Sequence, residues 1–162
     1  MTDTSPRRWH ANADPRLRDA VDTIDAHQRR VTTLCLSLAA QMGHTLSGSD
    51  LLIAAASHDE AERVLGDMPS PAKARFVLLA TAYASAERVV LDEMGLTWTL
   101  TAKEQQMLHL CDRLDAYMFA MSRGVTGQEW DEARTCINVM SDKFNARDWA
   151  VAQMEAGLQL NS

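Results

Sequence analysis

At 162 residues, 46% of them hydrophobic and 23% charged, the chain fits one domain and can bury about 70% of its unfolded surface, so its core needs no staple. A formal charge of −6 excludes a surface built to neutralise the many phosphates of a nucleic-acid polymer; any anion it binds is small and locally held. Cys35, Cys111 and Cys136 are odd in number and lack a C-x-x-C pair, which excludes a disulfide framework and a thiolate zinc knuckle and suits a reducing cytoplasm.

Residues 1–13 read as a polar N-terminal segment around Arg7-Arg8-Trp9-His10, with no apolar core of signal-peptide length. Asp14-Pro15 is a helix start, with the acid as N-cap and the proline at the first helical position. Leu17, Val21, Ile24, Gln28, Val31, Cys35, Leu38 and Met42 then recur at spacings of three and four up to Gly43, which predicts one long amphipathic helix or two nearly collinear ones. His27 is expected at the edge of its buried face, among polar residues.

The 51–56 run Leu-Leu-Ile-Ala-Ala-Ala is apolar all round, predicting a buried helix that continues through His58 and Asp59. Glu62 follows one turn later and Gly66 stops the helix. Asp67-Met68-Pro69-Ser70-Pro71 is a stiff loop that places Lys73 early in the next helix, which is expected to run through Phe76, Leu79, Tyr83 and Val90 to Gly95. Thr101-Ala102-Lys103-Glu104 fits a capping box opening a helix to Gly124. Asp112 sits among its apolar positions, so either a hydrogen-bond partner, such as Tyr83 or Arg113, or a metal must offset its burial. His109 reads as a core histidine or one behind a ligand, and His10 and His44 as surface histidines. Helical stretches over 126–144 and 145–158 close the chain. No period-two alternation or apolar run of about 18 residues occurs, so the expected fold is all-α with no membrane span. Its parts are the segment 1–13, a helical core over 14–124, and C-terminal helices over 125–162 that pack on that core.

His27, His58, Asp59 and Asp112 together offer two imidazoles and two carboxylates, a nitrogen and oxygen set that suits zinc, cobalt, manganese or iron better than calcium. Their order, H…HD…D, resembles the HD-domain metal-dependent phosphohydrolases. The run from His58 to Lys73 is similar to the HD-x-x-E-x-x-x-G-D-x-P-x-P-x-K stretch of bacterial 5′-deoxynucleotidases; Arg8-Trp9 and the segment from Asp112 to Tyr117 resemble further motifs of that family. The chain's length is closer to a shorter bacteriophage group, the dATP triphosphohydrolases.

The resemblance implies a single HD-domain helical bundle binding one divalent metal through His27, His58, Asp59 and Asp112. Glu62 and Asp67 are the catalytic acids it implies, with Glu62 handling the proton of the attacking water or of the leaving oxygen. Arg8, Trp9, Asp67, Ser70 and Lys73 would bind substrate: Arg8 and Lys73 against phosphate, Trp9 where a ribose 2′-hydroxyl would project. The implied reaction is hydrolysis of a 2′-deoxynucleotide at its α-phosphate, favouring a dATP-like triphosphate, for which Arg7, Arg63 and Arg75 would add charge. A 5′-deoxynucleotidase acting on monophosphates is the alternative, and a non-catalytic HD-type nucleotide-binding module or a purely structural bundle are the readings from other classes. The expected partners are a small-molecule deoxynucleotide and further copies of the chain, with no nucleic-acid polymer and no membrane. The expected compartment is the cytoplasm of a bacterium, or of the host cell if the gene is a phage's. The Met and Trp positions of the last helices are candidates for the contact between copies.

Overall fold

The computed structural model describes residues 6–159, apart from the side chains of Ser70, Pro71 and residues 158–159. Its nine helical segments, counted among the described residues, are α1 (Pro15–Arg18), α2 (Ile24–Met42), α3 (Leu51–Ser57), α4 (Glu62–Leu65), α5 (Ser70–Arg75), α6 (Val77–Glu93), α7 (Ala102–Ser122), α8 (Gln128–Asp142) and α9 (Arg147–Gln159). The fold is all-α. No helix among the described residues is long and apolar enough to cross a membrane.

The two long helices α2 and α7 form the centre. α3 packs on both, and α8 and α9 pack on α7. Their facing stripes bury Leu38, Leu51, Leu110, Leu114 and Ile137 completely. The last helices belong to the same core: Trp149 and Met154 join it, and the Trp149 indole donates to Ser37 Oγ at 2.9 Å. Trp130 and Met140 pack against the same core. Local signals fix the ends of the central pair. Thr23 caps α2, which ends at Gly43 with φ 61°, and the Thr101–Glu104 capping box opens α7.

Three expectations need correction. Of the one long helix or two expected at the start, the structure has two, interrupted between Asp19 and Thr23 because Arg7 pairs with Thr23 in an isolated antiparallel bridge and the Arg8 amide donates to the Asp22 carbonyl at 2.9 Å. These backbone bonds compete with helix. Val21, counted on the apolar stripe, is 68% exposed.

α3 ends at Ser57, so His58 and Asp59 occupy a turn rather than a helix. The Ala55 carbonyl, which an α-helix would bond to the Asp59 amide, accepts from His58 Nδ1 at 3.1 Å. Buried Gln28 takes over that amide: with its side chain oriented by the hydrogen-bond network, its oxygen accepts from the Asp59 and Glu60 amides at 3.3 and 3.2 Å.

The helix expected from residue 70 to Gly95 is two helices, broken at Phe76 by non-helical φ/ψ of −119°/74°. Phe76 and Leu79 are exposed rather than buried, and Leu91 is the buried residue of α6.

Candidate metal centre

His27 comes from the second turn of α2, His58 and Asp59 from the turn after α3, and Asp112 from the middle of α7. Far apart in sequence, they meet at one point. His27 Nε2 lies 3.2 Å from His58 Nε2, 3.3 Å from Asp59 Oδ2 and 3.2 Å from Asp112 Oδ1. His58 Nε2 lies 3.5 Å from Asp59 Oδ1 and 4.0 Å from Asp112 Oδ1. Two donor atoms each about 2.1 Å from one metal, at angles between tetrahedral and octahedral, are about 3.0–3.4 Å apart. The spacings around His27 fit that range. His27, His58 and Asp59 form a tight group able to hold a metal ion, and Asp112 closes on it from α7.

The other nitrogen of each imidazole is occupied. His27 Nδ1 is 2.7 Å from Asp115 Oδ2, and His58 Nδ1 donates to the Ala55 carbonyl. Both rings therefore turn Nε2 toward the centre, the arrangement that fixes the tautomer of a metal-binding histidine. Burial pulls the His27 pKa down, but hydrogen bonding to Asp112, Asp115 and Asp59 outweighs it and raises the value to about 10. The cluster thus attracts positive charge. Desolvation by the surrounding protein opposes ionisation of Asp59 and Asp112 too, yet the neighbouring histidines hold both carboxyls below the usual range.

His27 is fully buried, not at the edge of a polar face. Asp112 is the converse: its side chain is 41% exposed and opens into a cavity instead of lying in the core. Tyr83, a possible partner for it, instead donates its hydroxyl to the Gly66 carbonyl. His109 is exposed rather than a core histidine.

The cavity beside the cluster has a volume of about 900 Å³. Arg8, Trp9, Glu62, Asp67 and Lys73 line it with Asp59 and Asp112, so these sequence-predicted site residues share one space. The Ser70 side chain lies outside the described residues. Buried Glu62 has its pKa raised to about 8, first by desolvation and then by the charges of Asp59 and Asp67. At neutral pH this carboxyl is poised to give or take a proton. Lys73 Nζ sits 5.3 Å from the Tyr83 ring centre, a cation–π contact that steadies it on the cavity wall.

Trp9 has φ 67°, a strained conformation for a bulky residue. Its indole donates to Asp22 Oδ2 at 3.1 Å and stacks on Phe119 with ring centres 5.9 Å apart. The ring is an anchored part of the wall. Arg7, Arg63 and Arg75, expected to add charge for a longer phosphate chain, do not line the cavity, and Arg63 is engaged with Glu60 and Asp25. Arg113 lines it instead.

The sequence reading missed the support behind the ligands. Arg30 grips Asp115 through Nε at 2.6 Å and Nη2 at 3.0 Å, and the same Nη2 reaches Asp22 at 3.0 Å. Arg8 Nη1 stands 3.5 Å from Asp22 and 3.6 Å from Asp115, and this buried atom makes no hydrogen bond. The network thus links the Arg8-Trp9 segment to His27. Its signal was present as spacing: Arg30 follows His27, and Asp115 follows Asp112, by three residues on a helix, which puts each pair on one side. Glu129 and Glu132, at the start of α8, also reach the cavity wall.

Comparison of the chain with family models, with curated proteins and with solved structures returns no match in any of the three.

Proposed function

We propose that the protein is a metal-dependent phosphohydrolase that cleaves 2′-deoxynucleotides at the α-phosphate, releasing a deoxynucleoside. The observation that carries this reading is the convergence of His27, His58 and Asp59 at ligand spacing, with Asp112 3.2 Å from His27 and both histidine Nδ1 atoms already committed to acceptors. A divalent cation held there, such as zinc, cobalt or manganese, would supply Lewis-acid charge and lower the pKa of water to about 7. Glu62 exchanges a proton with the attacking water or the leaving 5′-oxygen, a task suited to a carboxyl with a pKa near 8. Asp67 helps to hold that proton by raising the Glu62 pKa. Arg8 and Lys73 line the cavity and face developing charge on the phosphoryl oxygens. Trp9, fixed by Asp22 and Phe119, forms a rigid wall for a sugar lacking the 2′-hydroxyl.

A dATP-like triphosphate is the proposed substrate, with Arg113 as third wall cation. The monophosphate reading gains from one observation: Glu129 and Glu132 stand on the same wall and oppose a long anionic tail. Incubation of metal-loaded protein with each deoxynucleoside mono- and triphosphate and the matching ribonucleotides, with ion-exchange separation of products, decides between them. Deoxynucleoside plus intact tripolyphosphate establishes the triphosphohydrolase; turnover of monophosphates alone establishes the deoxynucleotidase. Absence of turnover with metal bound overturns the enzyme reading and leaves a nucleotide-binding module.

A further inference from the structure

Asp22 holds the Arg8-Trp9 segment by main chain and side chain together. Its carbonyl accepts from the Arg8 amide at 2.9 Å, and its carboxylate accepts from the Trp9 indole at 3.1 Å. The residue is 2% exposed and stands behind the cavity wall rather than in it. Arg30 balances its charge, with Nη2 3.0 Å from Oδ1 and 3.2 Å from Oδ2, and Arg8 Nη1 lies 3.5 Å away. A carboxylate fixed in this way gives the indole a charged acceptor that does not move.

Trp9 needs such an anchor. Its φ of 67° is strained for a bulky residue and persists only where the surroundings over-determine it. Stacking on Phe119, with the rings 7° from parallel, and the tilted contact with Trp130 at 6.1 Å have little directionality and leave the ring free to slide or turn over. The bond from Nε1 to Asp22 selects which edge of the indole meets the cavity. An apolar wall rejects an added hydroxyl by about 100-fold at best, and only where the wall does not yield. Arg30 holds Asp115 separately, through Nε at 2.6 Å and Nη2 at 3.0 Å, so the orientation of His27 does not depend on Asp22.

We propose that Asp22 is the positioning residue for Trp9 and thereby sets the preference of the cavity for deoxyribonucleotides over ribonucleotides, although it touches no substrate. Resting on the deoxynucleotide reading of the cavity, this role makes sugar selectivity depend on a buried carboxylate outside it.

Two measurements on the metal-loaded full chain test it. In the wild type the Trp9 indole N–H, identified as the nuclear magnetic resonance signal missing from Trp9→Phe, should be protected from hydrogen exchange, and Asp22→Ala should remove that protection. Isothermal titration in a Glu62→Gln background, which slows turnover, compares dATP and dAMP with ATP and AMP. Asp22→Ala should lower the deoxy preference about tenfold, Trp9→Phe should lower it as far, and the double variant should lower it no further, a non-additivity that general loss of fold does not produce. Metal affinity in Asp22→Ala should fall by less than the roughly tenfold minimum for a lost support behind a ligand. Should Asp22→Ala not fold, the wild-type protection and Trp9→Phe decide: an unprotected indole or an undiminished preference overturns the role. A wild-type preference that Asp22→Ala leaves intact, or an additive double variant, overturns this role alone. A wild type that binds neither sugar class, or both equally, overturns the deoxynucleotide reading and this role with it.

Discussion

Asp115 Oδ2 lies 2.7 Å from His27 Nδ1, and the same carboxylate is held by the Arg30 guanidinium. This contact turns a buried imidazole into an oriented ligand, because an Nδ1 engaged by a carboxylate leaves Nε2 facing Asp59, Asp112 and His58.

Asp115→Asn should therefore lower affinity for zinc or manganese by about 10–100-fold while leaving His58, Asp59 and Asp112 in place. Isothermal titration with the metal alone measures this. Unchanged affinity would mean that the carboxylate contributes only to folding.

Metal should also stabilise the fold. At a free concentration about 100 times the dissociation constant the gain is about 2.7 kcal/mol, and for a chain of this size each kcal/mol raises Tm by about 2–4 °C. A chelator should reverse the rise, and Asp59→Ala should show none. A rise that survives Asp59→Ala would put the ion elsewhere.

Glu62→Gln should keep metal binding and reduce turnover by about 10²–10⁴-fold. Its effect on stability has a definite sign. The folded pKa of about 8 is above the ordinary value of 4.5, so between these pH values the folded state holds a proton that the unfolded state has lost, and stability declines as pH rises. The metal-free Gln variant should accordingly gain Tm over wild type at pH 8 but not at pH 4. Equal Tm differences at the two pH values would contradict the burial of that carboxyl.

The capping box of α7 gives the opposite pH dependence. Hydrogen bonds from Ser49 Oγ and from the Thr101 amide and hydroxyl hold the Glu104 pKa at about 2. Its contribution is present above about pH 4.5 and is lost as pH falls toward 2. Thr101→Ala should cost about 1 kcal/mol. Thermal melts of Glu104→Gln should show a deficit at pH 7 that shrinks by pH 2.5; a constant deficit would assign the effect to shape alone.

Local chemistry explains why so much was legible in the sequence. The stripes of α2 and α7, the capping box at Thr101 and the left-handed Gly43 are short-range features, each determined by residues within a few positions. The all-α fold follows from them, and His58-Asp59, Glu62 and Lys73 stand out as candidates because one short stretch carries all four. What short-range pattern could not decide was competition between distant groups. The Asp59 amide belongs to Gln28 rather than to a continuing helix, Thr23 leaves α-helix for a bridge with Arg7, and His27 is held by Asp115 of α7, which Arg30 of its own helix grips in turn. Periodicity marks an apolar face but not what covers it: the stripe of α7 is buried by four neighbouring helices, whereas that of α6 faces outward. Tertiary structure alone makes that distinction, since burial depends on which surfaces the rest of the chain can reach.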